Sequence, residues 1–192
     1  MIAFFINTGC ASPYAPQNGD VIFHTSQSSQ SAAIQIATNS PYSHVGLVYI
    51  KDNKPYVFEA ISTVSLTPLN SWIARGEGES YLVMRPKKEL SQEQLGAMKK
   101  EADTYLGKKY DVKFEWNDDK MYCSELVWKV YEAAEIKLSS PKKMKSYNFK
   151  DPKVITELEQ RWNQNVNWNE SVVAPVDLVQ SKKLTVVFKS KE

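Results

Sequence analysis

His44-Val45-Gly46-Leu47-Val48-Tyr49-Ile50, then Lys51-Asp52-Asn53, then Lys54-Pro55-Tyr56-Val57-Phe58-Glu59-Ala60-Ile61, is the stretch whose reading decides the fold. Both flanks are rich in β-branched and aromatic residues and the middle is turn chemistry, which predicts an antiparallel hairpin. With Asp52-Asn53 as a two-residue turn, Glu59 falls opposite Gly46 and His44 opposite Ile61. Side chains alternate along a strand, so His44 and Glu59 share one face as diagonal neighbours, Cβ atoms about 7–8 Å apart. Two long polar side chains can close that gap to a hydrogen bond, and Gly46 leaves the space between them open. A glutamate inside an apolar run is costly unless paired. A histidine and an acid on one face have the form of a base and its orienter. A turn with an odd residue count would put Glu59 on the opposite face. The only other histidine, His24, has no comparable acid, because Asp20 on its own strand is distant.

Outward from the hairpin, Gly19 to His24 reads as a turn and a buried strand, and Ser28 to Thr38 as a helix ended by Asn39-Ser40-Pro41. Ala11 to Asn18 reads as a linker, so positions 1–18 form a leader remnant or linker and 19–192 one domain. Pro68 to Gly76 suits a short helix carrying Trp72, and Tyr81 to Arg85 a strand. Ser91 with Gln94 has the form of a capping box, opening a helix that Gly107 closes. Tyr110 to Lys120 reads as a loop or short strand. Asp151-Pro152 opens a further helix, Ala174 to Leu178 a helical turn, and Leu184 to Phe188 a last strand. Helices mixed with antiparallel strands make the class α+β.

Met121-Tyr122-Cys123-Ser124-Glu125-Leu126-Val127-Trp128 supplies the partner that a base needs. Apolar residues recur at three- and four-residue steps from Leu126, predicting a helix from Cys123 to about Ile136. A thiol at a helix N-terminus feels unpaired amides and the positive end of the dipole, which favours its thiolate. The competing reading is a buried small hydrophobe, since free cysteine is among the most buried residue types.

Composition narrows the classes. The chain has 192 residues, 42% hydrophobic and 24% charged, with net charge +2. That suits a globular domain with a real core. Its lysines are scattered, and the short cluster Lys142-Lys143-Met144-Lys145 reads as a solvated loop, so there is no nucleic-acid footprint. The two cysteines, Cys10 and Cys123, lack the spacing of a zinc site or a disulfide framework. A bridge between them would consume the nucleophile, so Cys123 is expected to be a free thiol. A metal site from His24, His44 and Cys123 is not assembled by any spacing. Met1 to Ile6 is apolar, without a basic n-region and shorter than a signal core. Gly9-Cys10 has the form of a lipoprotein signal end, although Asn7 departs from that pattern; a short edge strand or frayed tail is the alternative. No apolar run is long enough for a transmembrane helix.

At these residues the chain resembles the circularly permuted papain-like cysteine hydrolases of the NlpC-type superfamily, and within them the YiiX-like group. The matching stretches are Gly19 to Phe23, Ser40 to Gly46, Pro55 to Ala60, Pro68 to Gly76, Tyr105 to Asp111 and Tyr122 to Trp128, together covering most of the chain from about Gln17. The resemblance implies an antiparallel sheet or small barrel packed against helices. It also implies Cys123 as nucleophile, His44 as base and Glu59 as third member. The base precedes the nucleophile, which is the permuted order. The Cys123 amide would donate to the oxyanion, with Tyr42 or Tyr122 as a second donor at the substrate; packing is the alternative role for each.

The expected activity is therefore amide hydrolysis through a thioester, needing no metal or organic cofactor. Its expected substrate is a small peptide or acyl compound, with cell-wall peptides first. An envelope location, periplasmic or lipid-anchored at Cys10, goes with that substrate, and a cytoplasmic one stays open. Two rivals stand beside it: a lipid-directed thiol acyltransferase or esterase, and a binding module that keeps the fold without turnover. A lipid enzyme should present an apolar, open groove beside Cys123.

Overall fold

The structure, a computed structural model, describes residues 14–190; Cys10 and the apolar start of the chain lie outside the described residues. β1 (Val21–His24) pairs antiparallel with β2 (His44–Lys51), and β2 pairs with β3 (Lys54–Ala60). The hairpin register runs from Lys51↔Lys54 to Leu47↔Phe58, as a two-residue turn requires. Asp52 and Asn53 both take positive φ, 50° and 57°. Those values belong to the primed turns whose twist matches the strands. Gly46 is obligatory for the pairing, because a Cβ there would lie 2.4 Å from Val57 Cγ1.

β4 (Val64–Pro68) extends the sheet beyond β3, β5 (Leu82–Pro86) pairs with β1, and β8 (Leu184–Lys189) returns to β5. The result is a six-stranded antiparallel sheet in the order β4-β3-β2-β1-β5-β8. Alternation divides its residues between two cores. Val21, Phe23, Val45, Leu47, Phe58 and Ala60 pack with Met98 of α3 (Gln92–Tyr105) and Leu126, Val127, Val130 and Tyr131 of α4 (Cys123–Glu132). Ile22, Val48, Val57 and Val83 pack on the other face with Trp72 of α2 (Leu69–Ile73). Burying each large apolar side chain of α4 contributes about 1.5–3 kcal/mol. This core holds the helix start against the end of β2.

Local chemistry sets the helix bounds. Ser91 and Gln94 form the expected capping box on α3, and Gly107 closes it at φ 80°. α1 (Ser31–Thr38) ends where Asn39 turns left-handed at φ 49°. Asp151 caps α5 (Pro152–Arg161) by accepting from the Lys153 amide, and Asp177 of α6 (Pro175–Val179) accepts from the Ala174 amide.

Several elements differ from the sequence reading. α4 stops at Glu132 rather than near Ile136, because Glu135 adopts φ 60° and the Glu135 and Ile136 amides bond back to Glu132 and Tyr131. That is a Schellman closure without its usual glycine. Lys142 and Lys143 are not simply a solvated loop; they form β6 (Lys142–Lys143), paired with β7 (Ser171–Val172). Within the stretch read as a linker, Tyr14 is buried and its hydroxyl donates to Asp20, which also accepts from Arg85. The Tyr14 ring packs against Tyr81 and Phe188, so aromatic packing and the Asp20 hydrogen bond together hold that segment. Among the described residues no helix is long and apolar enough to cross a membrane.

Candidate active site

α4 begins at Cys123, a buried free thiol, and β2 begins at His44. Burial pushes the Cys123 thiol up, but its hydrogen bond and charge pairing with His44, helped by the Val45 amide and Ser124, bring it below the ordinary thiol value. The reverse holds for His44. Burial pushes its ring down, yet hydrogen bonds to Cys123 and Glu59 and the charges of both raise it to about 9. The direction on both partners is that of a thiolate–imidazolium pair.

Glu59 Oε2 lies 2.7 Å from His44 Nε2, which leaves Nδ1 as the nitrogen facing the thiol. Glu59 is completely buried. Its other oxygen accepts from Thr67 Oγ1 at 2.5 Å and from Arg75 Nη2. Burial alone would raise this carboxyl; the bonds from His44 and Thr67 and the Arg75 charge lower it instead. A carboxylate held this way fixes the imidazole tautomer and favours its charged form.

The two histidines are direct cross-strand partners, His24 opposite His44. Their rings are 5.2 Å apart, and His24 stacks on Trp72 at 3.9 Å. Burial and the neighbouring His44 charge push His24 down to about 3, so it stays neutral. Sequence reasoning weighed His24 only against its own strand and missed this pairing. Arg75 and Thr67 were missed as well, since only folding brings them to Glu59.

Tyr122 lines the cavity that opens on Cys123. The Tyr122 hydroxyl accepts from the Val173 amide at 3.2 Å and its ring packs edge-on to Phe114, while Tyr42 packs on Phe23. Tyr110, which the sequence placed in a loop or short strand, lines both cavities that flank the pair. The first cavity, about 100 Å³, opens on Cys123 and is walled by apolar groups of α1, α5, β7 and the loop before α5, among them Ile34, Phe149, Val154, Leu158 and Val172. The second, about 420 Å³, lies on the His44 side among Ser26, Gln27, Ser28 and Arg75. Below the site, burial pushes Glu125 up to about 8, although Lys129 Nζ sits 2.9 Å away. Lys129 approaches Glu125 Oε1 without hydrogen-bond alignment, as both Glu125 oxygens lack a hydrogen-bond partner, and does not offset the burial.

A family model described as permuted papain-like amidase enzyme, YaeF/YiiX, C92 family, matches residues 15–188. The chain belongs to this amidase family. It is accordingly a permuted papain-like hydrolase of the cysteine peptidase and amidase kind. The amidase is 45% identical over 177 residues to the uncharacterized protein YiiX of Escherichia coli K12, covering 92% of this chain and 88% of that one. It also superposes on the crystal structure of metalloprotein yiiX from Escherichia coli O157:H7 with TM-score 0.89 and 45% identity, covering 92% of this chain and 99% of that one. The residues here do not fit a metal centre. Among the described residues no three His, Cys, Asp or Glu side chains are grouped to hold an ion. His44 Nε2 is committed to Glu59, and His24 Nδ1, which has no hydrogen-bond partner, faces Gly76, where even a Cβ would come within 2.9 Å.

Proposed function

We propose that Cys123, His44 and Glu59 are the catalytic triad of this amidase and that the acyl group it transfers to the thiol is apolar. The thiolate attacks the substrate carbonyl, forming a C–S bond. The imidazolium of His44 then gives its proton to the leaving amine, leaving a thioester on Cys123. Water, deprotonated by His44, hydrolyses the thioester and returns the thiol to its resting pair. Glu59 holds the ring in place and stabilises its charged form through both proton transfers.

The oxyanion needs donors aimed at it. The Cys123 amide at the start of α4 is one. Tyr110 is the second, because it is one of two residues, with Gln30, that line both the Cys123 cavity and the His44 cavity. Burial and the Cys123 charge hold its phenol well above the ordinary value, so it keeps the proton it must donate.

The observation that carries the substrate assignment is the apolar wall beside Cys123. A charged cell-wall peptide would leave its ionic groups unpaired there, at a cost of several kcal/mol. A hydrocarbon chain gains about 0.8 kcal/mol per buried methylene. Hydrolysis of N-acyl amides of increasing chain length should therefore show kcat/KM rising about fourfold per methylene until the cavity is full. Muropeptides cleaved faster than long-chain acyl amides would reverse the assignment.

A further inference from the structure

Arg161 of α5 donates from Nη1 to Gln30 Oε1 at 2.9 Å, and Gln30 Nε2 donates to the Tyr110 hydroxyl at 3.2 Å. Arg161 is held in turn by Glu157 Oε2 at 3.0 Å and lies 5.7 Å above the Phe114 ring. The chemistry of these groups fixes the direction of the whole chain. A guanidinium only donates, so the Gln30 atom facing it must be the carbonyl oxygen. The amide nitrogen is then turned to Tyr110, and because it too only donates, the tyrosine oxygen must accept. A phenol that accepts on its oxygen keeps its single proton for a different partner.

We infer that Gln30 and Arg161 are positioning residues that set the polarity of the Tyr110 hydroxyl, so that its proton is presented to the oxyanion rather than spent on the cavity wall. This deepens the proposed function and rests on its assignment of Tyr110 as an oxyanion donor. It also ties the donor to the acyl cavity. Gln30 and Arg161 both line the apolar cavity, and α5 supplies Val154 and Leu158 to the same wall. The helix that contacts the acyl chain is thus the helix that orients the donor, and binding along the chain is expressed in kcat as well as in KM.

The test inverts one atom. In Gln30→Glu a carboxylate replaces the amide and only accepts, so the Tyr110 proton turns toward it. The fold tolerates this change, since Arg161 and the N-terminus of α1 both favour a negative charge at that position; an unshifted melting curve checks it. With a long-chain N-acyl amide, kcat is expected to fall about 10²-fold while KM stays within about threefold. In a Tyr110→Phe background the same substitution should have no further effect. Arg161→Met frees the Gln30 amide to flip and should give a smaller kcat loss, restored by Arg161→Lys. The inference is overturned if Gln30→Glu keeps the parent kcat, if it costs as much without the Tyr110 hydroxyl, or if Tyr110→Phe leaves kcat unchanged. Turnover that survives Cys123→Ala would instead overturn the underlying thiol mechanism, so the two failures are distinct.

Discussion

The two cavities that flank the Cys123–His44 pair differ in size and in lining. On the thiol side α1, α5 and β7 close an apolar wall; on the imidazole side loops and strand ends leave Ser26, Gln27, Ser28 and Arg75 around open space. An amidase bond has two ends, and only one of them stays on the enzyme. The acyl part must remain while water attacks the thioester, and burial of hydrocarbon is a way to keep it there. The amine must leave, which suits the more polar of the two compartments.

The largest expected effect removes what the two sides share. Cys123→Ala and His44→Ala should each lower kcat by at least about 10³-fold with unchanged melting behaviour, measured on an activated acyl substrate. Next comes the asymmetry itself. Leu158→Glu places a charge in the apolar wall and should reduce kcat/KM for long-chain acyl amides about 100-fold, whereas Ser28→Ala in the polar cavity should change it by less than about threefold. Equal losses from these two substitutions would erase the distinction between the compartments.

Glu59→Gln acts on the pair from behind and should cost roughly tenfold or more, with a readable pH signature. The parent activity falls as pH rises through about 9, where His44 loses the proton that Glu59 and Cys123 help it keep. Without the Glu59 charge that basic limb should move to lower pH. His44 also links to stability: its folded value is raised, so the stabilisation is full below 6.5 and is lost as pH rises toward about 9. The smallest effect concerns Glu125, away from both cavities. Its folded value is raised from 4.5 to about 8, so the folded state holds a proton that the unfolded state has released, and stability declines as pH rises across that interval. Glu125→Gln should flatten the decline and raise the melting temperature at pH 8, with kcat unaffected.

The sequence made the hairpin readable because its information is local. A two-residue turn and strict alternation fix which side chains share a face, so His44 and Glu59 could be paired without a fold. His24 could not be placed that way. Its partnership with His44 crosses from β1 to β2, and nothing between the two strands encodes the register. The same limit hid Thr67 and Arg75, which reach Glu59 from β4 and from the turn after α2, and Gln30, which reaches Tyr110 across the cavity. β4, β6 and β7 were illegible for a different reason. They are short, polar or proline-ended, and pairing rather than propensity makes them strands. The early end of α4 left no mark because its left-handed closing residue is a glutamate.

The return of β8 to β5 has a consequence for the chain while it is being made. Everything from β1 to β5 can pair as it leaves the ribosome, but Leu184 to Lys189 must appear before the outer side of β5 is covered. During synthesis of all the intervening helices that strand offers open N–H and C=O groups to any neighbouring chain. The half-made protein is thus most vulnerable to misassociation just as its thiol is emerging, and slow translation of the last segment should lower the yield of folded protein more than slow translation of the hairpin.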